Sequence, residues 1–200
     1  MSEAKREALR YLGVRGRADP AIAALVDECF GLLAAQPPRH VVRVVPAGEA
    51  LALGESRSLA KYLAGCEEAA LLAATLGSHA DQLIRRFAVT DTLRAAALHA
   101  CAAARIEAYC DAVQAEVPGA LRPRFSPGYG DFPLAGQRKL LALLDAGRRL
   151  GLYLTDGDML APSKSITAVM GIGPAAAGCK RGKCAGCDKA DCVFKEEARP

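Results

Sequence analysis

The sequence predicts an α+β domain, in which several helices pack on a small number of strands. Its 200 residues are 52% hydrophobic and 24% charged, which is enough for one globular core with at most a small appendage. Aromatic residues make up only 5% and tryptophan is absent, so small and aliphatic side chains must fill the core, which favours closely packed helices. A Val-rich run at residues 41–45 and an alternating run at residues 165–172 supply strands.

Two helices are predicted before the first strand. Residues 3–12 form a charged amphipathic segment that stops at Gly13. A second helix begins after Asp19, a suitable N-cap, with Pro20 in its first turn, and its apolar residues recur at helical spacing up to Pro37. The apolar face of this second helix must therefore pack against another element.

The next segments alternate between strand and helix. Residues 41–45 are too short and too rich in valine for a helix, and they predict a strand. Residues 58–65 and 78–87 predict short helices on either side of a buried strand at residues 69–74. The longest helix, residues 91–116, has alanine on nearly every side, which indicates close neighbours and hence a central position.

The chain changes character at a loop rich in proline and glycine, residues 118–133. We expect no regular structure there, and a loop of this length in a compact domain is usually functional. After the loop, a run of leucines predicts a helix that ends near Gly151, and residues 152–155 predict a strand. The alternation of residues 165–172 predicts a half-buried strand.

Charge and hydropathy exclude several classes of partner. The net charge of +4 is small and dispersed, unlike the basic stripe of a protein that tracks phosphates, so we expect no nucleic acid partner. Residues 1–17 are charged throughout and contain no apolar signal segment. The longest nearly apolar stretch, residues 95–104, is too short to cross a bilayer. We therefore expect a cytoplasmic protein without a membrane partner.

The eight cysteines fall into two groups. Four stand alone in apolar helical segments and predict small buried hydrophobes: Cys29, Cys66, Cys101 and Cys110. The other four form the pattern Cys-x4-Cys-x2-Cys-x4-Cys: Cys179, Cys184, Cys187 and Cys192. In a chain without an export signal, four clustered thiolates predict one zinc ion or one 4Fe–4S cluster. The compressed spacing favours the cluster, and an unmetallated tail with reactive thiols is the alternative.

The proline-rich loop also contains candidate binding groups. Arg122 and Arg124 offer guanidinium groups, and Arg124 suits a bidentate pair with a ligand carboxylate. Gly128 lets a ligand approach the backbone, and Tyr129 adds an aromatic hydroxyl. A rigid surface loop explains the same residues equally well. From composition alone, Glu107 of the alanine-rich helix is expected to face solvent.

Two motifs of the second half occur in the order and spacing of a known family. Arg124-Phe-Ser-Pro-Gly-Tyr129 is similar to an Arg-Pro-Ala-Pro-Gly-Tyr motif, and residues 154–165 are similar to the segment from Leu-Thr-Glu to Pro-x-x-Ser that follows it. Both motifs belong to the reactivation domain of cobalamin-dependent methionine synthase, which the chain resembles in the form of small stand-alone relatives. The resemblance covers about residues 5–172 and predicts a domain of residues 1–172, followed by a cysteine-rich tail of residues 173–200.

The resemblance implies a twisted antiparallel sheet with flanking helices that binds S-adenosylmethionine. The family's binding residues correspond here to Glu107, Arg124, Ser126, Gly128 and Tyr129. For Glu107 this reverses the expectation of a solvent-facing carboxylate. Two departures concern the adenosine or ribose contacts: Phe125 replaces the first proline of the motif, and residues 171–178 lack the tyrosine that follows the last strand in the full-length enzyme.

The resemblance also implies an accessory factor that reactivates a cobalamin-dependent methyltransferase, with a methionine synthase lacking its own reactivation domain as the expected partner. In the family, cobalamin on the partner is reduced and then methylated from S-adenosylmethionine. The full-length enzyme's domain lacks the cysteine tail, so the resemblance assigns the tail no role. As a separate hypothesis from the tail itself, a cluster there would deliver the electron that a separate donor protein supplies to the full-length enzyme. The alternative is a zinc-stabilised interaction module that docks on a corrinoid protein without methyl transfer. Whether the chain is itself an enzyme stays open.

Overall fold

A computed structural model describes residues 1–174 and shows a sheet between two groups of helices. The elements, in chain order, are α1 (Glu3–Tyr11), α2 (Pro20–Ala34), β1 (Arg39–Pro46), α3 (Ala47–Leu51), α4 (Arg57–Leu63), β2 (Glu68–Thr75), α5 (Ser78–Thr90), α6 (Thr92–Glu116), α7 (Gly136–Leu143), α8 (Ala146–Leu150), β3 (Tyr153–Leu154), β4 (Leu160–Ala161) and β5 (Ser165–Ile172).

The main sheet has three antiparallel strands in the order β1, β2, β5. Ala73 of the central strand lies opposite Val41 on one side and opposite Thr167 on the other. The short strands β3 and β4 form a separate antiparallel ribbon just before β5. These features confirm the predicted mixture of helices and antiparallel sheet.

The two faces of the sheet belong to two hydrophobic cores. Leu72 of β2 and Met170 of β5 lie in a first core with residues of α1, α2, α5 and α6. Leu71 and Val169 lie in a second core with residues of α4, α7 and α8. Because side chains alternate along a strand, β2 and β5 contribute to both cores. The predicted strand at residues 165–172 is confirmed as β5, but the expectation that only one of its faces is buried is wrong, since helices cover both faces.

Helix α6 is the central helix that its alanines predicted. It packs against α1, α2 and α5, and its small side chains let these neighbours approach closely. Asp91 caps its first turn by accepting a hydrogen bond from the Arg94 amide at 3.0 Å. Cys29 of α2 and Cys101 and Cys110 of α6 are fully buried, in agreement with their prediction as small hydrophobes. The same prediction is wrong for Cys66, which is only partly buried and lies between α4 and β2 rather than in a helix.

Other parts of the second half differ from the prediction. The helix expected to end near Gly151 is divided into α7 and α8, because Asp145 adopts a positive φ of 51° and interrupts the turn. The strand expected at residues 152–155 is limited to Tyr153–Leu154. Elements α3 and β4 were not predicted, since five and two residues are too few for a recognisable period.

No helix within residues 1–174 is long and apolar enough to cross a membrane.

Candidate functional site

The first part of the proline-rich loop lies along the free edge of β5. Leu121 forms a bridge with Ile172, and Phe125 exchanges two backbone hydrogen bonds with Val169, at 2.9 and 2.8 Å. These contacts hold the backbone on both sides of Arg124. The loop thereby places the Arg124 side chain against the C-terminal half of α6.

Arg124 interacts with three polar side chains of α6. Its Nη2 lies 2.8 Å from Glu107 Oε2 and 2.7 Å from Asp111 Oδ1, and its Nη1 donates to Gln114 Oε1 at 3.2 Å. Glu107, Asp111 and Gln114 are spaced by four and three residues, so they share one face of the helix. We call these four residues the arginine cluster.

The arginine cluster is half-buried and electrostatically asymmetric. The Arg124 side chain is 13% exposed, whereas that of Asp111 is 66% exposed. Burial opposes the charge of Arg124, but the hydrogen bond and charge of Asp111 and the charge of Glu107 outweigh it and raise its pKa above the usual value. Arg124 is therefore a permanent cation between two carboxylates, and one of those carboxylates faces solvent.

Phe125 anchors the loop in the second core. Its ring stacks on Tyr62 at 4.9 Å between centroids and lies edge-on to Tyr129 at 5.9 Å. The Tyr62 hydroxyl donates to the Pro123 carbonyl at 2.7 Å and accepts from the Gly171 amide at 3.0 Å. The departure from the family motif at this position thus places an aromatic anchor directly beside Arg124.

A tight turn follows the anchor. The Gly128 amide donates to the Phe132 carbonyl at 2.8 Å, and the Tyr129 amide donates to the Ser126 carbonyl at 3.0 Å. Gly128 has a φ of +93°, and a side chain at Gly130, where φ is +56°, would place its Cβ 2.6 Å from an oxygen of Ser58. Glycine is required at both positions. The turn leaves Tyr129 55% exposed.

Asp131 joins the end of this turn to α4. Its carboxylate accepts hydrogen bonds from the Ser56 hydroxyl at 2.5 Å and from the amides of Arg57 and Ser58, each at 2.9 Å. The Ser56 hydroxyl and the Ser58 amide are the leading causes that hold the pKa of Asp131 well below its usual range. The loop is thereby fixed at the N-terminus of a helix.

Arg122 does not belong to the candidate site, contrary to the expectation that both loop arginines offer guanidinium groups for binding. Its side chain is buried and donates to three backbone carbonyls, those of Tyr62, Ala64 and Pro174. These carbonyls belong to the end of α4 and to the residues after β5. Arg122 therefore holds the backbone together, while Arg124 faces other charges.

A groove of about 390 Å³ lies beside the arginine cluster. Its lining residues are Asp111, Gln114, Ala115, Val117, Gly119 and Leu121. Asp111 and Gln114 are also partners of Arg124, so the groove and the cluster share a wall. Its volume falls in the range of small-molecule sites.

A larger depression, of about 500 Å³, lies between α2 and the first turns of α5 and α6. Its charged residues Glu28 and Arg94 pair with each other at 2.8 Å. The proline-rich loop contributes no lining residue to it. We therefore place the candidate site at the arginine cluster, where the proline-rich loop and converging charges coincide.

The structure brings Glu107 and Arg124 into direct contact and places Ser126, Gly128 and Tyr129 in the turn that follows Arg124. Sequence reasoning missed Asp111 and Gln114. Their spacing from Glu107 by four and seven residues was the available signal, because it places all three on one helical face.

The predicted metal ligands Cys179, Cys184, Cys187 and Cys192 lie outside the described residues. Within residues 1–174, no group of three or more His, Cys, Asp or Glu side chains is arranged to hold a metal ion. The metal site, and the division into residues 1–172 and 173–200, stay predictions.

No protein-family model matches this chain, and no curated protein matches it. A solved structure does match: the crystal structure of the MetH reactivation domain bound to AdoHcy, with a TM-score of 0.57 and 14% sequence identity. The match covers 86% of this chain and 78% of that chain. This chain shares the fold of the MetH reactivation domain. The fold class predicted from the sequence is therefore confirmed.

Proposed function

We propose that this protein binds S-adenosylmethionine at the arginine cluster and reactivates a cobalamin-dependent methyltransferase. The main support is the contact between Arg124 and Glu107, two residues that are 17 positions apart and that the family resemblance had singled out independently. The contact occurs in a fold shared with a MetH reactivation domain that binds AdoHcy.

The charges of the cluster match one end of the proposed ligand. The amino acid moiety of S-adenosylmethionine has a carboxylate and an ammonium group. Arg124 pairs with the carboxylate, while Glu107 and Asp111 accept from the ammonium. Without ligand, Arg124 pairs with these two carboxylates at 2.8 and 2.7 Å, so binding exchanges internal ion pairs for pairs with the ligand.

The adjoining surfaces suit the rest of the ligand. The groove beside Asp111 provides room, and the backbone of the turn from Ser126 to Gly130 carries no bulky side chain at Gly128. In this proposal, Ser126, Gly128 and Tyr129 contact the ligand beyond its amino acid end. The protein's own contribution is to hold the sulfonium methyl group in one orientation.

The reaction takes place on a partner protein that holds the cobalamin. A reductant, either a cluster in the cysteine tail or a separate donor protein, would supply one electron to the partner's cobalamin. The cobalamin would then take the methyl group from S-adenosylmethionine and leave S-adenosylhomocysteine, while Arg124, Glu107 and Asp111 would hold the amino acid end of the ligand. The cofactors supply this chemistry, and the protein supplies binding and orientation.

Titration of S-adenosylmethionine into the full-length protein by calorimetry tests the binding step. We expect saturable binding that Arg124→Ala weakens about 10- to 100-fold, because a hydrogen-bonded charge pair contributes roughly 1.5–3 kcal/mol. The matched control is Arg148→Ala, at an arginine whose side chain is 80% exposed. The affinity of this variant for S-adenosylmethionine should equal that of the wild type. Absence of saturable binding would contradict the proposal and favour the interaction module.

A further inference from the structure

The chain leaves the described structure at one wall of the groove. The Gly173 amide donates to the Ala120 carbonyl at 2.9 Å, and the Pro174 carbonyl accepts from Arg122 Nε at 2.9 Å. Ile172 is bridged to Leu121, which itself lines the groove. The segment that continues from residue 175 to residue 200 therefore starts beside this groove.

The groove combines an acidic side with an apolar side. Asp111 is an exposed lining residue. Glu116, the last residue of α6, is exposed and lies between the lining residues Ala115 and Val117 in the chain. Val117 and Leu121 supply apolar surface. The described residues that line the groove include no lysine or arginine, and Arg124 beside it is shared by two carboxylates. The lining residues therefore carry the negative charge of Asp111 and no positive charge.

The segment that follows has the complementary charge. Residues 175–184 read Ala-Ala-Ala-Gly-Cys-Lys-Arg-Gly-Lys-Cys and contain three cations, Lys180, Arg181 and Lys183, and no carboxylate. Residues 180–183 follow Pro174 by six to nine positions, which an extended chain converts to a reach of up to roughly 20–30 Å. The stretch of α6 from Asp111 to Glu116 rises only about 7.5 Å. The length of the chain therefore allows Lys180, Arg181 and Lys183 to reach both carboxylates.

We propose that, when no ligand is bound, residues 175–184 dock in this groove, with Lys180, Arg181 and Lys183 facing Asp111 and Glu116. S-adenosylmethionine, bound as proposed above, takes their place in the groove. The occupant is part of the same chain, and its attachment at Pro174 gives it a high effective concentration at the groove. Docking places Cys179 and Cys184 beside the arginine cluster. A role of these cysteines in electron delivery depends on the proposed function. The docking itself does not depend on it.

Zero-length cross-linking of the full-length protein with a carbodiimide tests the contact, because this reagent joins a lysine amine only to a carboxylate that touches it. We expect amide bonds from Lys180 and Lys183 to Asp111 and Glu116, mapped by peptide mass spectrometry. Their yield should be at least about tenfold above that for Glu55, an exposed carboxylate between α3 and α4 on the other face of the sheet. Lys183→Arg keeps the charge and should abolish the Lys183 products alone.

Hydrogen exchange provides a second, independent measurement. The triple variant Lys180→Glu, Arg181→Glu, Lys183→Glu should speed amide exchange several-fold at residues 115–121. The matched control replaces three later cations of the same tail with glutamate: Lys189, Lys195 and Arg199. This variant should leave amide exchange at residues 115–121 unchanged.

Equal cross-linking yields at Glu55 and Asp111, or identical exchange in the two triple variants, would overturn the docking proposal. Both measurements are made without ligand. Calorimetry with S-adenosylmethionine therefore decides the proposed function separately, and either proposal can fail while the other stands.

Discussion

Arg122 and Arg124 show how neighbouring identical side chains acquire different roles. Arg122 faces neutral carbonyls in a buried position, so it satisfies backbone groups that would otherwise lack donors. Arg124 faces carboxylates at the edge of a groove, where the proposed ligand would exchange with them. The difference lies in the partners and not in the residue type.

We predict that Arg122→Ala destabilises the fold. It leaves the carbonyls of Tyr62, Ala64 and Pro174 without their donor and opens a cavity, which should lower the free energy of unfolding by about 2–4 kcal/mol. Urea denaturation followed by circular dichroism measures the change. Arg148→Ala serves as the exposed control, and equal stability of the two variants would contradict the structural role.

We predict that Asp111→Asn weakens S-adenosylmethionine binding about tenfold without changing the fold. The amide keeps the shape but loses the negative charge that pairs with the ligand ammonium, and one charge-assisted hydrogen bond corresponds to roughly 1.4 kcal/mol. Calorimetry measures the affinity. Asp27→Asn, at a carboxylate of similar exposure on α2, should bind like the wild type. Equal affinities of all three proteins would exclude Asp111 from the site.

At the scale of elements, the loop matters because it is tied to three of them. Residues 121–125 extend the sheet beside β5, Phe125 packs near α4 through Tyr62, and Arg124 reaches α6. The loop thus contacts both sides of the sheet without being a strand or a helix. These attachments hold the arginine cluster in place while leaving the following turn at the surface.

We predict a pH dependence from the attachment of the loop to α4. The pKa of Asp131 is depressed in the folded protein, so its carboxylate stabilises the fold above the usual Asp pKa of about 3.9, and this stabilisation is lost as pH falls towards the folded value. The melting temperature of Asp131→Asn should lie below that of the wild type at neutral pH, and this difference should narrow below about pH 4. Thermal unfolding measured between pH 3 and 7 tests this. A gap that stays constant with pH would rule out the charge as its cause.

At the scale of the whole molecule, one three-stranded sheet serves two cores. The alternating faces of β2 and β5 bury Leu72 with the long helices and Leu71 with the short ones. The site lies where the first group of helices meets the loop, so α6 belongs both to the core and to the arginine cluster. The packing of α6 in the core therefore determines where its charged residues lie relative to the proline-rich loop.

We predict that the whole protein restores activity to a cobalamin-dependent methionine synthase that lacks a reactivation domain. With S-adenosylmethionine and a chemical reductant, oxidatively inactivated partner should regain turnover, and Arg124→Ala should reduce the initial rate about tenfold or more at subsaturating ligand. Methionine formation measures the rate, and Arg148→Ala is the control. If the wild type binds S-adenosylmethionine but does not restore the activity of the methionine synthase, the reactivation proposal is contradicted, and the protein binds this ligand for another partner.

The sequence by itself determined the local elements whose signals are local. The Asp19 cap is present, with a hydrogen bond of 2.7 Å to the Ala21 amide, and the predicted central helix corresponds to α6. The strands at residues 41–45 and 69–74 are confirmed within β1 and β2. Caps, periodicity and β-branched runs act through neighbouring residues, so one chain is sufficient to recognise them. Only the family resemblance indicated that Glu107 and Arg124 belong to one site.

Only the tertiary structure decided which charged groups meet. It separated Arg122 from Arg124, added Asp111 and Gln114 to the site, and buried both faces of β5. Helical spacing shows that Asp111 and Gln114 share a face with Glu107, but it does not show that this face meets Arg124. Burial and electrostatic partners depend on how elements distant in sequence pack together.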